Sequence, residues 1–255
     1  QRAPGAPPLY STRCPACTRS PLTVRAEDLA KTLDRSVLDA STTEDEVALA
    51  VEEACEHHLA ALSTQPVFTA QVAGALRGCD VKACAVIGYP DGACGWTEKV
   101  AQANASVADG AAELDILMNA EAMMAGEFVA ARDDIAKVVR AVRSSAANTG
   151  RSDVLVKVVI DASRLGDKLT RLACKIVTDV GADFAQTSAG DGPPATLEQV
   201  ELMRDALPEQ VAVSAAGRLA SLDDVTAMIG AGAARVCTPA ATDVMRELAA
   251  RNGAG

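Results

Sequence analysis

The sequence predicts an α/β fold, a (β/α)8 (TIM) barrel of aldolase type, and three observations carry that reading. Short apolar runs alternate with amphipathic helical stretches, and runs without polar alternation belong to a parallel sheet covered on both faces. Eight such units can be counted along the 255 residues. They fill roughly 230 residues, the length of one such barrel. A doubly wound open sheet is the competing arrangement, but no glycine-rich phosphate turn follows an early strand.

Residues 1–25 stand apart. Pro4, Pro7, Pro8, Pro15 and Pro21 interrupt any periodicity, so this segment reads as an extended or disordered leader before a single barrel domain at 26–255. A helical stretch is expected through EDLAKTLDRS, with a first strand at 33–38. Thr43 and Glu46 have the spacing of a capping box at the head of a second helix, TTEDEVALAVEEACEHHL. The other strands are expected at 60–64 (AALST), 81–88 (VKACAVIG), 112–119 (AELDILMN), 154–161 (VLVKVVID), 182–188 (ADFAQTS), 211–217 (VAVSAAG) and 234–239 (ARVCTP). Between them lie helices such as TEKVAQANASVADG, FVAARDDIAKVVRAVRSSA, KLTRLACKIVTDVG and LDDVTAMIGAGA.

Composition narrows the function. The formal net charge is -10 and the aromatic fraction 2%. With neither a basic cluster to neutralise phosphates nor an aromatic platform to stack bases, no nucleic-acid partner is expected. No apolar stretch approaches a membrane span and no signal peptide opens the chain, so no membrane association is expected either. Cys55, Cys79, Cys84, Cys94, Cys174 and Cys237 sit singly and read as small buried hydrophobes of a protein in a reducing cytoplasm. Cys14 and Cys17 form a CPAC knuckle, which would suit zinc or a redox dithiol. A zinc site wants further ligands, and the two histidines, His57 and His58, are adjacent and point about 100° apart on a helix. No metal and no cofactor is therefore expected.

In a barrel of this kind, chemistry sits on inward-pointing side chains near the C-terminal ends of the strands. Polar residues inside the apolar runs are the candidates: Asp34, Ser63, Gln65, Asp115, Lys157, Asp161, Gln186, Ser188 and Ser214. Alternation places Lys157 and Asp161 on one face of their strand, and Gln186 and Ser188 on one face of theirs. Charge buried in mid-strand is costly unless paired, which singles out Asp115 and Lys157 and also allows that they pair with each other.

The strand segments LDRSVLDAST, VKACAVIGYPDGA, DGAAELDILMNAEAMMAGEF, VLVKVVIDAS, GADFAQTSAG and VAVSAAGRLASLDDVTAMIGAGAARVCT resemble, in this order, the deoxyribose-phosphate aldolase family. The resemblance covers residues 27–248. It implies a class I aldolase in which a lysine on strand 6 forms an imine, a lysine on strand 7 lowers the pKa of the first, and an aspartate on strand 4 moves protons. It also implies a homodimer. Two departures change that expectation. Gln186 stands in the lysine-threonine-serine motif of strand 6, and an amide cannot attack a carbonyl to make an imine. Ser214 stands where the strand 7 lysine would be, while Asp115 and Asp34 persist. The phosphate end departs too. The glycine turn reads Gly217-Arg218-Leu219, and Thr238-Pro239-Ala240-Ala241 has lost a backbone donor and a hydroxyl. Asp191 adds negative charge, whereas Arg218 retains a guanidinium for an anion.

Of the seven lysines, six fall in helices or near strand starts, where a solvated role is the default; Lys157 is the exception. The sequence thus predicts a diverged enzyme acting on a small, non-phosphorylated carbonyl compound by acid–base chemistry without an imine at position 186. Retro-aldol cleavage, enolisation, dehydration and cyclisation are all compatible with it. Asp115 would be base or proton shuttle, Lys157 acid or electrostatic stabiliser, and Asp34 orienter. Gln186, Ser188, Ser214, Ser63, Asp161 and Arg218 would bind substrate. Two alternatives stand beside it: an aldolase whose imine has moved to Lys157, and a catalytically inactive barrel that binds or scaffolds.

Overall fold

A computed structural model describes residues 25–151 and 153–253; the CPAC knuckle and the rest of the expected leader as far as residue 24 lie outside them. Eight parallel strands close into a barrel in the order of the sequence, β1 pairing with both β2 and β8. They are β1 (Leu33–Val37), β2 (Ala61–Thr64), β3 (Lys82–Ile87), β4 (Glu113–Leu117), β5 (Leu155–Val159), β6 (Phe184–Gln186), β7 (Ala212–Ala216) and β8 (Arg235–Thr238). Each lies inside an expected run and is shorter at one or both ends, where the flanking residues leave the sheet.

The helices are α1 (Ala26–Ala30), α2 (Glu44–Glu56), α3 (Thr69–Ala75), α4 (Trp96–Asp109), α5 (Ala120–Met124), α6 (Phe128–Asn148), α7 (Ala162–Asp179), α8 (Leu197–Ala206), α9 (Leu222–Gly230) and α10 (Ala241–Gly253). The helix expected through EDLAKTLDRS stops at Ala30, since its second half is strand β1. The Thr43–Glu46 capping box forms as the spacing requires, and Thr196–Gln199 and Ser221–Asp224 cap α8 and α9 in the same way. None of the helices among the described residues is long and apolar enough to cross a membrane.

The main core lies between the strands and the surrounding helices and is built from Ala, Val, Leu, Ile and Met. A second, separate apolar cluster unites Leu38, Val86, Leu117 and Val159 with Tyr89 and Ala189. Leu117 and Val159 lie two residues beyond Asp115 and Lys157, so alternation puts them inside the barrel, one layer nearer its mouth.

Two cysteines read as solitary are paired. A disulfide joins Cys55, at the end of α2, to Cys79, in the turn after α3, with Cα atoms 6.1 Å apart. The separation suits a disulfide, and nothing in two isolated cysteines 24 positions apart announces it. Cys84, Cys174 and Cys237 are free and buried, as expected of small hydrophobes.

Candidate active site

The barrel interior holds a cluster of five charged groups. Lys157 projects from β5, and its Nζ lies 2.7 Å from Glu113 Oε2, 2.9 Å from Asp115 Oδ1 and 3.4 Å from Asp34 Oδ2. Arg235, the first residue of β8, donates from Nε to Asp34 Oδ1 at 2.9 Å and from Nη2 to Glu113 Oε2 at 3.1 Å. Lys157 and Asp34 are fully buried. The strand registers explain the meeting: Asp115 pairs directly with Lys157, and β8 sits against β1.

Three carboxyl groups face two cations, an excess of one negative charge when all are ionised. Burial raises Asp34 above the usual carboxyl range, against the pull of Arg235 and Lys157. Burial also pushes Glu113 up, but Lys157 and Arg235 outweigh it and hold the group below its ordinary value. Burial pushes the Lys157 ammonium down; Asp115 and Asp34 outweigh it and raise the group well above the ordinary range.

The three carboxyl groups around Lys157 bear on one alternative. An imine needs a neutral amine, and Lys157 is held as an ammonium by three carboxyl groups. The geometry therefore argues against a Schiff base relocated to this lysine.

Above the charges runs a neutral chain of hydrogen bonds. Gln186 pairs with Ser214 across β6 and β7, and the Ser214 hydroxyl donates to Gln186 Oε1 at 2.9 Å. Gln186 Nε2 donates to the Ser188 carbonyl at 3.0 Å and, more weakly, to Asp115 Oδ2 at 3.5 Å. All three side chains are buried, so Asp115 links the charged cluster through one oxygen and the amide–hydroxyl pair through the other. Ser63 is buried too, and its hydroxyl has no partner among the described residues.

Three expected members lie elsewhere. Strand β5 ends at Val159, and Asp161 turns away in a left-handed conformation (φ 52°) to accept from the Ser163 hydroxyl and pair with Arg164. It does not share a face with Lys157, because the strand no longer continues there. The Ser188 hydroxyl donates to the carbonyls of Ala189 and Ala216, both at 3.1 Å, so it fixes the loop after β6 instead of facing the interior. Arg218 is exposed at the mouth and donates from Nε to the Asp191 carbonyl at 3.1 Å.

The backbone donors that would cradle a phosphate are engaged. The N–H of Gly217 bonds the Cys237 carbonyl, that of Arg218 the Gly192 carbonyl, and that of Ala240 the Thr238 hydroxyl.

Sequence reasoning missed Glu113, Arg235 and Lys99. Glu113 stands two residues before Asp115, so strand alternation could have placed it on the same face. Lys99, expected at the surface, is fully buried; its Nζ donates to the Leu117 carbonyl at 2.9 Å and to Asp134 at 2.6 Å.

No family model matches the chain. The deoxyribose-phosphate aldolase of Caldanaerobacter subterraneus subsp. tengcongensis is 36% identical over 221 residues, covering 86% of this chain and 93% of that protein. The deoxyribose-phosphate aldolase of Streptococcus equi subsp. zooepidemicus is 34% identical over 227 residues, covering 89% and 99%. Among solved structures, an aldolase named QR15 superposes with a TM-score of 0.81 at 28% identity, over 89% of this chain and 98% of that one. The tetrameric deoxyribose phosphate aldolase of Aeropyrum pernix gives a TM-score of 0.78 at 26% identity, over 89% and 93%.

Proposed function

The chain belongs to the deoxyribose-phosphate aldolase family, and from that premise we propose that it is a divergent lyase which makes and breaks bonds beside a carbonyl without forming an imine. The observation that carries this reading is the Gln186–Ser214 pair set 3.5 Å from Asp115, above a lysine held as an ammonium.

In this reading a small carbonyl compound enters beside Gln186 and Ser214, which turn from each other to donate to its oxygen. Donors fixed in a water-excluded site stabilise an enolate as charge develops on that oxygen. Asp115 Oδ2 takes the proton, either from the carbon beside the carbonyl or from the β-hydroxyl. In the second case the carbon–carbon bond breaks, the electron pair moves to the enolate oxygen, and a proton returns to carbon. The Lys157 ammonium balances the negative charge and orients Asp115 through Oδ1; Asp34 is the reserve of protons. The engaged backbone around Gly217 and the acidic Asp39 and Asp191 at the mouth favour a substrate without phosphate.

Proton exchange tests this directly. Small aldehydes and ketones incubated with the protein in D2O should lose their α-proton signals in the NMR spectrum, and Asp115→Asn should abolish the loss. Borohydride with the same compounds should leave the protein mass unchanged. Exchange that survives Asp115→Asn, or a reduced adduct on any lysine, refutes the reading. A ligand-binding barrel without turnover is the second reading, favoured by the buried Ser63 hydroxyl that has no partner among the described residues; it predicts binding without exchange.

A further inference from the structure

The loop joining β6 to α8 lies across the mouth of the barrel, and we propose that residues 189–194 are a lid, latched shut by Tyr89 and Asp191, that gates access to the interior. The inference deepens the proposed function, since the interior it covers is the candidate active site.

The lid is seated largely by its backbone. A Cβ at Gly190 would overlap the Ser36 side chain on β1 and lie 2.8 Å from Cys237 Sγ on β8. Glycine alone lets the chain press so far into the barrel. Further along, a Cβ at Gly217 would lie 2.7 Å from the Pro193 carbonyl carbon and 2.8 Å from Pro194 Cα. Ala189 meanwhile packs on the apolar cluster of Leu38, Val86, Leu117 and Val159.

Both ends of the segment are anchored to one carbonyl at the end of β7. Ser188 Oγ is tied to the Ala216 carbonyl, and the Ala195 N–H bonds the same carbonyl at 3.1 Å. Between them, among the described residues, one side-chain pair secures the segment: the Tyr89 hydroxyl donates to Asp191 Oδ2 at 2.6 Å. Arg218 adds only bonds to the backbone of Asp191 and Gly192. Gly190 and Gly192 stand on either side of Asp191 and supply the freedom to swing.

What lies beneath wants a ligand. The hydroxyls of Ser36 and Ser63 are buried and without partners among the described residues, although a buried polar group normally has one. A cleft of about 430 Å³ is lined by Ser36, Leu38, Asp39, Asp191, Arg218 and Pro239.

The native thiols report the opening. Cys237 lies under Gly190; Cys174 is buried in α7 away from the mouth; Cys94 is half-exposed. Iodoacetamide labelling of the full chain, mapped by peptide mass spectrometry, gives the rate at each. Losing a hydrogen bond to a charged group should open the lid about ten-fold more often. Tyr89→Phe and Asp191→Asn should therefore each speed labelling of Cys237 about ten-fold while Cys174 and Cys94 keep the parent rates. Gly190→Ala, which props the lid from below, should do the same. Parent-like labelling of Cys237 in these variants overturns the proposal, and so does a joint rise at Cys237 and Cys174, which would mean global unfolding. No turnover enters the readout, so a missing lid and a missing activity are separate results.

Discussion

Replacing Lys157 by methionine keeps the length of the side chain and removes the charge that three carboxyl groups share. At an effective dielectric of about 20, an ion pair near 2.8 Å is worth roughly 6 kcal/mol before desolvation. Lys157 makes two such pairs, to Glu113 at 2.7 Å and Asp115 at 2.9 Å, and a longer one to Asp34. Desolvation offsets most of this, and breaking a buried pair by removing one partner costs about 3–5 kcal/mol. Arg235 remains but reaches only Asp34 and Glu113, so Asp115 bears the loss. The sign with pH follows. In Lys157→Met, Asp34, already raised by burial, loses the pull of the ammonium and gains proton affinity on folding, so its contribution to the variant's stability is fullest below its unfolded pKa and is lost as pH rises through the folded value. Urea unfolding followed by far-UV circular dichroism at pH 5.0 and 7.5 should show the deficit against the parent shrinking at the lower pH. Adding Asp115→Asn, which removes the uncompensated carboxylate, should restore part of the stability, a coupling of neighbours in one network. An equal deficit at both pH values, or strict additivity of the two substitutions, refutes the cluster as described.

The Cys55–Cys79 disulfide closes a loop with a sequence separation of 24, and loop-closure entropy makes it worth about 3 kcal/mol; thermal unfolding should move down by several degrees with reductant in the parent and not in a Cys55→Ser, Cys79→Ser variant. At the surface, Lys31 and then His58 hold Asp80 down to about 2. Its contribution is present above its unfolded pKa and lost as pH falls from about 4 toward 2, and solvent screening limits it to about 0.5 kcal/mol. Asp80→Asn should flatten that part of the acid limb in urea midpoints measured between pH 4.5 and 2.5.

The barrel was legible because each strand is buried on both faces and so stands out as an apolar run between amphipathic helices. Asp34, Asp115 and Lys157 were legible for the same reason, as charges inside such runs. Glu113 and Arg235 open their strands, where charge beside a loop is ordinary; alternation from Asp115 marks the face of Glu113, and only the closed register brings Arg235 to the cluster. Lys99 sits among the polar residues of WTEKVAQ and looks solvated; it is buried because α4 begins where the Leu117 carbonyl and Asp134 need a donor. Asp161 was placed too deep because the apolar run outlasts the strand by two residues. Tyr89 and Asp191 are 102 positions apart, and neither carries any local mark of the other.

The charged cluster also bears on how the chain reaches its native state. Its members come from β1, β4, β5 and β8, so the first and last strands depend on one another. A nascent chain that has delivered only the first half of the barrel has Asp34, Glu113 and Asp115 but neither cation. Burying that half would confine three carboxyl groups with no counter-charge, a cost of several kcal/mol for each ion. Half-barrels are thereby disfavoured as resting points, and so are partial assemblies in which exposed strand edges seek other chains. With Arg235 carried by the last strand of the barrel, the electrostatics disfavour closure of the interior until all eight strands have been made.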